Sequence, residues 1–176
     1  MKKSLLFIAL IIGFSLSAFS QARGSYGYID SEYILSNIPE YKEAQRELDR
    51  LAAIWQKDIE KRFSAIDSMY KKYQVEAITL PENLKQKREE SIIQAEQDAK
   101  DLQKKRFGKD GDLFKKREEL VKPIQDRVFN VIESLAKDRG YAFIFDVAGS
   151  MTIVYADPKF DLNDLVMQRL GISVKE

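Results

Sequence analysis

The chain has 176 residues, 29 of them basic and 28 acidic, with no cysteine and no histidine. The two absences exclude disulfides, thiolate nucleophiles, imidazole acid–base chemistry, zinc fingers and Fe–S clusters. A net charge of +1 argues against wholesale binding of phosphate backbones.

Met1-Lys2-Lys3, the apolar run Leu5–Ile12 and the small residues of Ala18-Phe19-Ser20 before Gln21 have the form of a secretory signal peptide. The run is about half of the ~20 residues needed to span a bilayer, and no cysteine follows it to carry a lipid. Cleavage would remove Lys2 and Lys3 and no acid, which leaves a net charge of −1. The expected organisation is a signal peptide over 1–20, a first strand and short helix over 21–40, a helical hairpin over 41–122 with its tip near 76–82, and a closing segment over 123–176.

Tyr26–Asp30 reads as a short strand, and Asp30-Ser31-Glu32 opens a helical turn that Pro39 stops. Next come apolar positions at Tyr41, Ala44, Leu48, Leu51, Trp55, Ile59, Phe63, Ile66, Tyr70 and Tyr73. Steps of three and four make this a coiled-coil seam, with a stutter between Trp55 and Phe63. Thr79-Leu80-Pro81-Glu82 has the form of a capping box, Thr79 as N-cap, for a returning helix. That helix carries a weaker stripe through Leu84, Ile92, Ala95, Ala99, Leu102, Phe107, Phe114 and Val121, strengthening at Ile124, Val128, Val131 and Leu135. Two such helices with a short turn predict an antiparallel hairpin, roughly 55–60 Å long at ~1.5 Å per residue. Gly108 and Gly111 interrupt the return, either as a hinge or as a local bulge, and Pro123 removes one helical hydrogen bond. Tyr141–Val147 and Met151–Ala156 are predicted to form a β-hairpin around Ala148-Gly149-Ser150. Asp161-Leu162-Asn163-Asp164 caps a last helix, which Gly171 ends.

The fold class is therefore α+β, with a long coiled-coil arm projecting from a small sheet-bearing body. Three short strands and one short helix make a poor core with open sheet edges, so the body is expected to complete itself by homo-oligomerisation. The body positions are Tyr28, Ile29, Phe143, Phe145, Ile153, Tyr155 and Leu165.

In order along the chain, these features resemble the Skp/OmpH family of periplasmic chaperones. The resemblance rests on Gly27-Tyr28-Ile29-Asp30-Ser31 with Ile34-Leu35 and Pro39-Glu40-Tyr41, on Lys122-Pro123-Ile124 and on Gly140-Tyr141-Ala142-Phe143-Ile144-Phe145-Asp146. Tyr155-Ala156-Asp157-Pro158 followed by Asp161-Leu162-Asn163-Asp164 and Leu170 completes it. Membership implies a jellyfish-like homotrimer, a small β-barrel-like body with three arms. The arms enclose unfolded outer-membrane proteins in the periplasm without ATP. The family supplies no catalytic residues, and no metal site or cofactor is expected in this chain.

Loose holding of many sequences suits scattered apolar groups on the outer arm. The candidates are Met69, Tyr70, Tyr73, Val75, Ile78, Leu84, Ile92 and Ile93. The competing reading has them hold the two helices together, most of all for Tyr70 and Tyr73, which continue the seam. Lys71, Lys72, Lys85, Lys87 and Arg88 outnumber Glu76 and Glu82 at the arm end. This charge suits anionic lipid or acidic client segments, or is an ordinary solvated face. Asp157, Asp161 and Asp164 lack the glycine and terminal glutamate of a calcium loop. No nucleic-acid partner is expected, since no aromatic platform interleaves the basic residues. A structural coiled-coil scaffold of the cell envelope is the alternative from another functional class.

Overall fold

The computed structural model describes residues 25–149 and 153–173. The proposed signal peptide lies outside them, as do Ser150, Met151 and Thr152. Strand β1 (Ser25–Ile29) leads into helix α1 (Ser31–Ser36) and the long helix α2 (Pro39–Glu76). Helices α3 (Glu82–Phe107) and α4 (Asp112–Arg139) return, followed by β2 (Tyr141–Asp146), a 3₁₀ turn (Pro158–Phe160) and helix α5 (Asn163–Arg169).

Local chemistry sets most of these ends. The Asp30 carboxylate accepts the Tyr33 N–H at 2.9 Å and starts α1. Pro39 opens α2, where its missing N–H costs nothing. Helix α4 ends at Gly140 with φ 71°, a left-handed position open to glycine. The capping box does not form. Pro81 is the N-cap of α3, and the Thr79 hydroxyl donates backward to the Glu76 carbonyl at 3.1 Å. Glu76 also accepts the N–H groups of Thr79 and Leu80. Thr79 therefore finishes the first helix instead of starting the second.

The sheet differs from the expected hairpin. β1 and β2 pair in parallel, with Tyr26 opposite Phe143, Tyr28 opposite Phe145 and Ile29 opposite Asp146. The helical hairpin is the long crossover that a parallel pair requires. Among the described residues, 153–156 form no strand. Alternating apolar residues mark a strand without naming its partner, and α4 delivers β2 directly alongside β1. The other edge of β1 is taken by Asp161 and Leu162, whose N–H donates to the Tyr28 carbonyl at 2.9 Å. The outer edge of β2 has no partner strand among the described residues.

One apolar cluster joins both chain ends to the base of the arm. It unites Ile29, Ile34, Leu35 and Ile38 with Ala44 and Leu48 of α2, with Val121, Ile124, Val128 and Leu135 of α4, and with Leu162, Val166 and Met167. The body core thus extends into segments assigned from sequence to the arm. Farther out, Ile66, Ile92 and Ala99 form a separate cluster with Met69, Tyr73 and Ala95. Phe63 and Tyr70 leave the seam and are 37% and 51% exposed. Each four-residue step overshoots a helical turn by about 40°, so three in succession from Leu51 rotate Phe63 outward.

Two polar contacts fasten the ends to each other. Asn163 is buried, and its side-chain amide oxygen accepts the Asp30 N–H at 2.7 Å. Asp146 accepts the N–H groups of Ser31 at 3.0 Å and Ala148 at 3.1 Å. Desolvation raises the Asp146 pKa, but the bonds from Ser31 and Ala148 outweigh it and hold the carboxyl below its usual value. A lowered acid contributes stability that is present above its unfolded pKa, about 3.9, and lost as the pH falls through the folded value. The stability advantage of the protein over its Asp146→Asn variant should therefore be largest near neutral pH and shrink toward pH 3. Urea midpoints at several pH values measure this, and a pH-independent gap would contradict it.

Candidate functional site

The candidate site is the distal arm, where α2 and α3 meet across residues 77–81. Its interior is the small cluster around Ile66, Ile92 and Ala99. Tyr73 adds the one polar tie across the seam, its hydroxyl donating to the Glu89 carboxylate. That bond, with burial and the charge of Glu89, pushes the Tyr73 pKa up to about 12. The phenol stays protonated at any physiological pH.

The eight apolar candidates divide into two sets. Met69, Tyr73 and Ile92 face the seam and hold the helices together. Tyr70, Val75, Ile78, Leu84 and Ile93 lie on the outside, with Ile78 89% and Val75 77% exposed. Ile78 sits in the turn itself, whose backbone hydrogen bonds run from Ala77 to Tyr73, from Thr79 and Leu80 to Glu76 and from Leu84 and Lys85 to Pro81. Lys71 pairs with Asp67 at 2.6 Å, Lys72 with Glu76 at 3.7 Å and Lys85 with Glu82 at 3.7 Å. Lys87 and Arg88 have no salt-bridge partner among the described residues. Exposed pairs of this kind contribute little stability. The arm end therefore places exposed apolar groups among exposed cationic ones, and a crevice along the seam, between Met69, Tyr73, Arg88 and Ile92, holds about 50 Å³.

Midway along the arm, Gly108 and Gly111 separate α3 from α4, while α2 passes the same level unbroken. Trp55, Arg106, Phe107 and Asp112 gather at this break. Sequence reasoning missed this group, although the Arg106-Phe107 pair beside two glycines was its signal.

In the body, Ile29 is buried and Leu165 packs on the core. Tyr28 and Ile153 are half-buried. Phe143, Phe145 and Tyr155 are exposed, and Tyr26, Phe129 and Val154 add open apolar surface that the sequence did not single out. Phe143 and Phe145 stack with ring centres 6.2 Å apart. Beside them, Tyr26, Tyr28, Phe145, Tyr155 and Phe160 line a groove of about 390 Å³. The acidic residues nearby are used locally. Asp157 pairs with Lys159 at 2.6 Å, and Asp161 accepts the Asn163 N–H at 2.8 Å. Among the described residues, no helix is long and apolar enough to cross a membrane.

A model of the OmpH-like outer membrane protein family matches residues 25–170. The chain belongs to this family. An uncharacterized protein of Aquifex aeolicus (strain VF5) is 27% identical over 170 residues, covering 97% of this chain and 96% of that one. The crystal structure of a candidate OmpH-like outer membrane chaperone from Caulobacter crescentus CB15 aligns with a TM-score of 0.65. It is 12% identical, with 86% of each chain covered. This OmpH-like fold is mostly helical, with long helices and a small two-stranded sheet.

Proposed function

We propose that the chain is an ATP-independent holdase that encloses unfolded outer-membrane β-barrel proteins in the periplasm. The observation carrying this reading is the outer arm, where Tyr70, Val75, Ile78, Leu84 and Ile93 are presented to solvent on a thin support. Their grouping at one end of the arm, next to the cationic Lys87 and Arg88, offers apolar surface that a partner can cover. Single, scattered contacts impose no sequence requirement and release easily, which suits many different clients. Membership of the OmpH-like family supports a chaperone role, and the reading requires no catalytic residue, metal or cofactor.

The holdase acts as a homotrimer. The β2 edge, open among the described residues, and the exposed Phe143, Val154 and Tyr155 support this, because an unpaired edge beside apolar side chains favours a further strand. Three arms around one body bound a volume in which many weak contacts add. Lys87 and Arg88 at the arm ends suit acidic client segments or an anionic lipid surface.

Dilution of urea-unfolded outer-membrane protein into buffer tests the proposal by light scattering, with oligomer mass measured in parallel. Suppressed aggregation of several unrelated β-barrels by a trimer is the expected result. A monomer, or no suppression, would overturn it. Stoichiometric binding of one folded partner instead would point to an envelope scaffold.

A further inference from the structure

The break at residues 108–111 divides the arm in an unequal way. No hydrogen bond of a continuous helix runs from α3 into α4. Gly108 N–H closes onto Lys104 at 2.8 Å, Gly111 N–H onto Gly108 at 2.9 Å, and Lys115 N–H onto Gly111 at 3.0 Å. Both glycines have ordinary extended backbone, so conformational freedom is not why they are here. Close packing is the reason: a Cβ on Gly108 would fall 2.4 Å from the Lys104 carbonyl oxygen, and one on Gly111 would fall 2.8 Å and 2.9 Å from those of Lys105 and Arg106. The joint is a close-packed backbone break in one of the two helical strands of the arm, with an open hollow of about 480 Å³ beside it between Lys104, Gly108, Gly111 and Lys115.

Side chains bridge what the backbone does not. Arg106, at the end of α3, pairs with Asp112, the first residue of α4, and their side chains are only 31% and 27% exposed. The guanidinium of Arg106 also lies 4.7 Å from the centre of the Trp55 ring on α2. Phe107 meets the same ring edge-on at 6.4 Å. Three helices converge on one arginine. Below this level Leu48 and Val121 belong to the body core, and above it Ile66 and Ala99 belong to the distal cluster. Ile59 is the only fully buried apolar residue of α2 between them.

We infer that the arm consists of two separately opening units and that the Arg106–Trp55–Asp112 clasp is the stop between them. Helix formation is cooperative through its hydrogen-bond ladder, and here the ladder is cut. The distal unit rests on four buried residues, Ile59, Ile66, Ile92 and Ala99, so it opens without disturbing the body. Opening ends at the clasp, because Arg106 ties Asp112 of α4 to the Trp55 face of α2, and one of these two contacts must break before opening passes further down the arm. This device stands independently of the holdase reading, since it concerns the arm without a client.

Hydrogen exchange on the full-length oligomer tests it. Amides of 60–76 and 82–104 should exchange as one block, well ahead of 41–52 and 115–135. In Arg106→Ala, protection at 112–120 should fall about tenfold, the effect of losing a charge-assisted hydrogen bond, with the block at 124–135 preserved as proof of folding. Asp112→Asn should act in the same region, while Arg106→Lys should restore part of the protection. Trp55 is the only tryptophan, so its emission should shift in Arg106→Ala as the ring becomes wetter. Uniform protection from tip to body overturns the inference. So does unchanged protection at 112–120 in both Arg106→Ala and Asp112→Asn.

Discussion

Leu135→Ala should destabilise the body by about 3 kcal/mol, as expected for a large-to-small change at a site with no room to collapse. Leu135 is fully buried. It lies on the inner face of α4 in the cluster that gathers β1, α1, the base of α2 and α5. The body has no second core to compensate, since the distal cluster is separate. Urea unfolding followed by circular dichroism, at fixed protein concentration because any assembly would contribute to apparent stability, would show the shift. Ile66→Ala is the paired control. It removes a residue of similar size from the distal cluster, so it should loosen the arm end and leave the body transition nearly in place. Equal effects of the two substitutions would mean that arm and body unfold as one unit.

Replacing Tyr70, Val75, Ile78, Leu84 and Ile93 together with serine should weaken client holding more than tenfold while leaving the fold standing. These side chains lie outside both clusters, and substitutions at exposed sites usually stay within about 0.5 kcal/mol each. Against a client the balance differs. If each side chain buries ~50 Å² of apolar surface, it supplies roughly 1 kcal/mol, and five together exceed the 1.4 kcal/mol of a tenfold change. Titration of aggregation suppression against chaperone concentration reads the effect, with circular dichroism confirming helix content. Unchanged suppression would remove the outer arm as the client surface. Replacing Lys71, Lys72, Lys87 and Arg88 with glutamine instead should matter mainly at low salt, where screening is weak.

The two-helix hairpin was legible because Ala44, Leu48, Ile59 and Ile66 repeat at helical spacing and all four are buried. The same repeat misplaced Phe63 and Tyr70, since spacing alone does not reveal how far a run of four-residue steps rotates. The turn was legible at Pro81 but its capping was not. A capping box needs the Thr79 hydroxyl to accept an N–H of the following helix, and here it donates to the Glu76 carbonyl of the preceding one. Tyr141–Asp146 was readable as a strand, while its partner lay more than a hundred residues away in β1, beyond any local signal. At the arm end, composition identified the apolar and basic residues as a group. Which of them face inward depended on the pairing of Tyr73 with Glu89 and of Ile66 with Ile92, a relation between two helices that neither pattern contains.

The parallel pairing of β1 with β2 has a kinetic side. The Ser25 hydroxyl reaches the Gly140 carbonyl across a separation of 115 residues. Closing so long a loop in a flexible chain costs about 4 kcal/mol of entropy, and such topologies fold slowly. The hairpin shortens the search, because each turn of α3 and α4 laid against α2 brings the two termini closer by contacts of modest sequence separation. The five residues between α2 and α3 are thus the pivot of folding for a sheet roughly an arm's length away. A backbone cut there would turn an intramolecular closure into an encounter between two fragments, and formation of the body would then depend on their concentration.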